Sequence, residues 1–209
     1  MFAYRSQVLT LGAALAVGIT FGVLAPVLEA RESPVLHALH LTLAAGWSWA
    51  ALSFFVGISC ASKKMSATLG AVSLTVAVLA YYTTKAQRGE YRSPVDLSSP
   101  SSGVYFNWME FGSKIGFWCV IGLIAGTILG LAGNMSRRPG TQGLALQLLI
   151  PLIALAETTM RIATEASSQG AVADATWNIT RGAAVAACFL LIGRAISTRR
   201  RSPVQMSRK

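Results

Sequence analysis

Glu157, Arg161 and Glu165 stand four residues apart at the end of an otherwise apolar run, Leu144–Glu165. On a helix that spacing stacks all three on one face. A carboxylate on a lipid-buried helix is costly, so it turns toward a bundle interior or a wet cavity unless it is paired or protonated. Glu110 and Lys114 repeat the spacing in a second apolar run, and Asp174 and Arg181 lie early in a third. A carboxyl group in an apolar site can stay protonated and deliver its proton to a weak base. The faces of Trp, Tyr and Phe stabilise positive charge through their ring quadrupoles. Trp47, Trp49, Tyr81, Tyr82, Trp108 and Trp118 are available for that second task. The chemistry these residues offer is proton transfer to an alkene, with the resulting cation sheltered from water among rings.

Every one of these features also has a purely structural reading. Glu110 with Lys114 makes an interfacial ion pair, Arg161 with Glu165 a structural one, and the Trp and Tyr residues an aromatic belt. Asp174 begins or caps its helix. His37 and His40 lie at the interface rather than on a metal, and no metal ligand set is expected. Glu157 resists dismissal most. It sits on the order of 12 Å from the end of its helix at about 1.5 Å per residue.

The elements that must hold these groups are membrane spans. The chain has 209 residues, 53% hydrophobic and 12% charged, where soluble domains carry about 25% charged. Runs of roughly 20 apolar residues match the bilayer's hydrocarbon thickness. They predict an all-α integral membrane bundle of about six helices: Val8–Leu28, Ala44–Cys60, Met65–Thr84, Tyr105–Gly133, Leu144–Glu165 and Ala171–Ser197. One bundle then fills residues 1–198, with a basic cytoplasmic tail over 199–209. The first run is too long for a signal-peptide core.

Between the spans, Pro34–Leu43 is expected along the interface, and the polar stretch Ala86–Gly103 as a loop that is either a lid or plain disorder. Gly122, Gly126 and Gly130 recur every four residues and offer a smooth face to a neighbour. Pro151 inside the fifth span should cost one backbone hydrogen bond.

A net charge of +10 does not point to nucleic acid. The basic residues fall in short turns: Lys63-Lys64, Arg137-Arg138 and Arg199-Arg200-Arg201 share one side of a six-span trace with Arg5. By the positive-inside rule both termini are cytoplasmic and the protein is a multi-pass protein of the cell membrane; Lys85, Arg88 and Arg92 on the other side oppose that orientation without reversing it. Cys60, Cys119 and Cys188 have no metal spacing and serve packing. The trace also brings the acids and most rings, Trp177 among them, into one half of the bundle, as a pocket requires. An aspartate-rich diphosphate–Mg²⁺ motif is lacking, which leaves alkene protonation as the fitting start for a terpene cyclisation.

The stretches GWSWAALSFFVG (Gly46–Gly57), Tyr81-Tyr82, FNWMEFGSKIGFW (Phe106–Trp118) and IALAETTMR (Ile153–Arg161) resemble a family of small actinobacterial multispanning membrane proteins. That family includes membrane-bound terpene cyclases of indole-terpenoid, drimentine-type biosynthesis. The resemblance covers most of the first five spans. It implies cyclisation of a farnesylated indole or diketopiperazine to a drimane-like bicycle, without metal or other cofactor. Its partners would be a lipophilic prenylated small molecule and the lipid bilayer. On the depth argument, Glu157 is the expected proton donor or its close partner, and Glu110 the second acid or terminal base. Trp47, Trp49, Tyr81, Tyr82, Trp108 and Trp118 would shape the substrate chain, and Arg161 would hold a polar head or tune Glu157. Two other classes fit the same residues. Buried charges also mark transport paths, although no inverted repeat is present, and the glycine faces suit a scaffold subunit.

Overall fold

An apolar run in lipid can satisfy its backbone only internally, so each run closes its own hydrogen bonds as helix. The computed structural model describes residues 2–29, 33–95 and 103–201. Its helices are α1 (Phe2–Glu29), α2 (Pro34–Ala44), α3 (Gly46–Ser59), α4 (Lys63–Gln87), α5 (Trp108–Met135), α6 (Thr141–Gln147), α7 (Leu149–Thr164), α8 (Ala166–Gln169) and α9 (Ala171–Arg201). Five stretches are long and apolar enough to cross a membrane: Thr10–Glu29, Lys63–Gln87, Trp108–Met135, Thr141–Thr164 and Ala171–Thr198. The pair α2 and α3, bent by 64°, makes a sixth if it forms one broken span. The expected segment Pro34–Leu43 and the expected span Ala44–Cys60 correspond to α2 and α3, with the break between them at Ala45.

Helix α4 is packed between α1 and α5, and α3 packs against α4 and α5. Gly18 and Gly22 of α1 meet Ser73 and Ala77 of α4 in the same order, so these two helices run parallel. Gly122 and Gly130 of α5 meet Thr75 and Ser66 in reverse order, so α5 runs antiparallel to α4. The expected glycine face is what lets them close. A Cβ on Gly130 would overlap the Ser66 carbonyl, and one on Gly57 of α3 would overlap the Gly130 carbonyl. Three backbones thus meet with little between them, as small residues permit in membrane bundles. Ser53 Oγ adds a hydrogen bond of 2.9 Å to the Gly126 carbonyl.

Two of the basic turns, Lys63-Lys64 and Arg137-Arg138, share one end of this bundle. Asn134 Nδ2 and Arg137 both donate to the Cys60 carbonyl, at 2.9 and 2.6 Å, tying the turn after α3 to the turn after α5. Lys63 and Lys64 follow directly, with Ser62 Oγ accepting from the Met65 N–H at 3.2 Å as N-cap.

The structure corrects three expectations. The 86–103 stretch is not simply loop. Helix α4 continues to Gln87, and strands β1 (Arg92–Pro94) and β2 (Val104–Phe106) pair antiparallel, Ser93 opposite Tyr105. The tip where a lid would be sought, 96–102, lies outside the described residues. Pro151 falls in the first turn of α7 rather than mid-helix, where a missing N–H costs little. Finally, α9 runs on to Arg201, into the expected tail; residues 202–209 lie outside the described residues.

Candidate functional site

The break at Ala45 creates two helix ends inside the bundle, and each leaves orphan backbone groups. The sequence around it supplies most of the partners. Ser48 Oγ donates to the carbonyls of Ala45 at 2.7 Å and Leu43 at 3.2 Å. Trp49 Nε1 donates to Leu43 O at 2.9 Å. These bonds give the Leu43 carbonyl, near the end of α2, its partners. The start of α3 has no side-chain cap of its own, because Ala45 stands at the cap position. Glu157 of α7 fills the role. Gly46 N–H donates to Glu157 Oε1 at 2.9 Å and Trp47 N–H to Oε2 at 2.7 Å. An anion at the positive end of a helix dipole is favourable. Gly46 leaves room for it, since a Cβ there would sit 3.2 Å from Glu157 Oε2.

The predicted helical face of α7 forms as expected. Arg161 Nε donates to Glu157 Oε1 and Arg161 NH1 to Glu165 Oε2, each at 2.9 Å. The guanidinium lies 5.0 Å from the centroid of the Trp177 ring, which is 1% exposed. The Glu157 side chain is 14% exposed and that of Arg161 26%. So Glu157 accepts two N–H groups on Oε1 and one on Oε2. Trp47 and Trp177 share an apolar cluster with Leu41, Ala45 and Ala173. Their buried indole N–H groups find no acceptor among the described residues.

Glu157 and Arg161 also face a cavity of about 470 Å³, a size that suits a drug-sized ligand. Trp49 of α3, Tyr81 and Tyr82 of α4 and Trp118 of α5 line it with them. The rings stand edge to face: Phe21 on Trp49 at 5.5 Å, Trp49 on Tyr81 at 5.7 Å, and Tyr81 on Tyr82 at 5.3 Å. Trp118 is 45% exposed and so leaves a ring for an incoming molecule to cover. Such walls accept an apolar or cationic guest, while the Glu157–Arg161 end offers it a polar contact.

The other three expected site residues lie elsewhere. Trp47 turns to the Trp177 cluster. Glu110 begins α5, where its N–H donates to Asn107 Oδ1 at 3.0 Å, and its Oε1 pairs with Lys114 Nζ at 2.7 Å. Those side chains are 40% and 51% exposed. Trp108, 73% exposed, joins Phe106 and Phe111 around Tyr91. Burial pushes the Tyr91 hydroxyl above the usual phenol range, and Glu90 adds to that. Lys114 Nζ lies 5.5 Å from the Tyr91 ring centroid. Glu110 and Trp108 thus belong to the rim that anchors the β1–β2 ribbon, not to the cavity. What sequence reasoning missed was the backbone: the N–H groups of Gly46 and Trp47 are the main partners of Glu157. The available signal was a helix start, Ala45-Gly46, with no capping side chain of its own.

Fold and site together define a helical bundle with membrane-length helices, broken once, with a carboxylate–guanidinium pair and an aromatic cavity at the break. The chain belongs to DUF6518, a family of unknown function whose model matches residues 3–206. No curated protein and no solved structure matches it.

Proposed function

We propose that this protein is a cyclase of the cell membrane, with both termini cytoplasmic, acting on a farnesylated indole or diketopiperazine of the indole-terpenoid kind. The observation that carries the reading is the 470 Å³ cavity with Trp49, Tyr81, Tyr82 and Trp118 on its walls and Glu157 at its edge. On this reading a proton taken up on Glu157 Oε2, which accepts one N–H where Oε1 accepts two, passes to the terminal alkene of the prenyl chain. The alkene carbons then close the rings, and the cation passes along the aromatic faces. The carboxylate left behind is received by the N–H groups of Gly46 and Trp47 and by Arg161. A final C–H bond gives its electrons to a new alkene and its proton returns to Glu157. Protons balance, and the product is an isomer of the substrate.

The test is incubation of the purified protein in detergent with a farnesylated indole, read by mass spectrometry and NMR. The expected product has the substrate's mass, a new retention time and new ring protons. Recovery of unchanged substrate, from protein whose melting shows it folded, would sink the reading and leave carriage of the same molecule as the rival. Transport into sealed vesicles then decides that rival.

A further inference from the structure

A different face of α3 borders a second space, larger than the first and independent of the cyclase reading. Although α3 and α9 both line it, none of their Cα atoms approach within 8 Å of one another. The groove between them measures about 840 Å³, with Phe55 and Ile58 on one wall, Ile150 and Ala154 behind, and Ala187 and Leu191 opposite. Arg137 and Arg194 close one end. There the groove continues into a hollow of about 440 Å³ that adds Arg138. Arg137 is committed to the Cys60 carbonyl at 2.6 Å. Arg138 and Arg194 have no carboxylate partner among the described residues.

An apolar channel in a bundle of membrane-length helices, ending in unpaired guanidinium groups, has the polarity of one kind of molecule: a long hydrocarbon chain carrying a phosphate. Arginine binds phosphate through paired N–H donors, and basic pockets between membrane helices select anionic headgroups. We propose that the α3–α7–α9 groove binds an anionic phospholipid of the surrounding bilayer. Its acyl chain lies along Phe55, Ile150 and Leu191, and its phosphate rests between Arg138 and Arg194.

The test is native mass spectrometry of the delipidated full-length protein titrated with phosphatidylglycerol or phosphatidylcholine of matched chains. Phosphatidylglycerol should be retained at least tenfold more strongly. Arg138→Gln and Arg194→Gln should each cost about fivefold of that retention, and the double variant should bring the two lipids level. Ala187→Trp, which fills the groove, should lower retention of both. Both arginines are exposed, so melting of the arginine variants should match the parent, and this is measured alongside. Equal retention of the two lipids by the parent, or a double variant that keeps the preference while folded, would overturn the proposal. Displacement of the bound lipid by excess inorganic phosphate would overturn it too, by showing a free-phosphate site.

Discussion

Glu157 and Glu110 are each followed four residues later by a cation, and on sequence the two pairs are near twins. In the folded bundle they differ in almost everything else. Glu157 is 14% exposed, accepts from two backbone N–H groups of another helix and borders the cavity. Glu110 is 40% exposed, and its side-chain partners among the described residues, Asn107 and Lys114, are local. Spacing decides which side chains share a helical face. It does not decide what that face meets. The Glu157 pair meets a broken helix end that needs an anion, and the Glu110 pair meets the rim.

The difference should be largest when each carboxylate is removed. Glu157→Ala strands two N–H groups and a half-buried guanidinium, and should cost about 3 kcal/mol of stability, read as a lowered melting midpoint in detergent. Glu157→Gln keeps the size and one acceptor oxygen but loses the charge, so it should cost less in melting while reducing cyclised product about a hundredfold. A folded Glu157→Gln protein with parental turnover would make the carboxylate a helix cap and nothing more.

Next in size is Arg161→Met. It removes the bond to Glu157, the bond to Glu165 and the contact with the Trp177 ring, yet leaves the cap on α3 in place. About 1–2 kcal/mol of stability should go. If the melting loss equals that of Glu157→Ala, the cap contributes little and the contrast with Glu110 rests on the ion pair alone.

Trp118→Leu sharpens the comparison from the cavity side. The ring is 45% exposed and lines the cavity beside Tyr82, so its loss should move stability by no more than about 0.5 kcal/mol. On the proposed cyclase reading, product should nonetheless fall about tenfold, because an aromatic wall of the cavity is gone. A loss of both together would make Trp118 a packing residue.

How far the sequence reached follows from the same contrast. The apolar runs, the glycine face of α5 and the Glu157–Arg161–Glu165 ladder are local patterns, and local patterns survive into the fold. Gly130 against Ser66 and Gly57 is the clearest case. The division near Ala45 was legible, since Pro34–Leu43 is set apart from a span beginning at Ala44; the partners that hold its two ends were not. Ser48, Trp49 and Glu157 supply partners at both new ends, and Glu157 comes from a helix far along the chain. Trp108 and Trp118 show the same limit. Both sit on α5 among other rings, but only the fold sends one to the β1–β2 ribbon and the other to the cavity.

The smallest effect is expected at Glu110. Its pair with Lys114 is solvent-facing at both members, and exposed pairs four residues apart contribute about 0.3–0.5 kcal/mol. The Asn107 cap on α5 accepts from the Glu110 backbone N–H, not its side chain, so Glu110→Gln keeps it. Melting should therefore stay within about 0.5 kcal/mol of the parent and product within about twofold. Combined with Glu157→Gln, the effects should add, since sites without shared partners do not couple. A large loss of product from Glu110→Gln alone would break the comparison at its root. It would give the second carboxylate a part in the reaction that its place at the rim, paired with Lys114, does not account for.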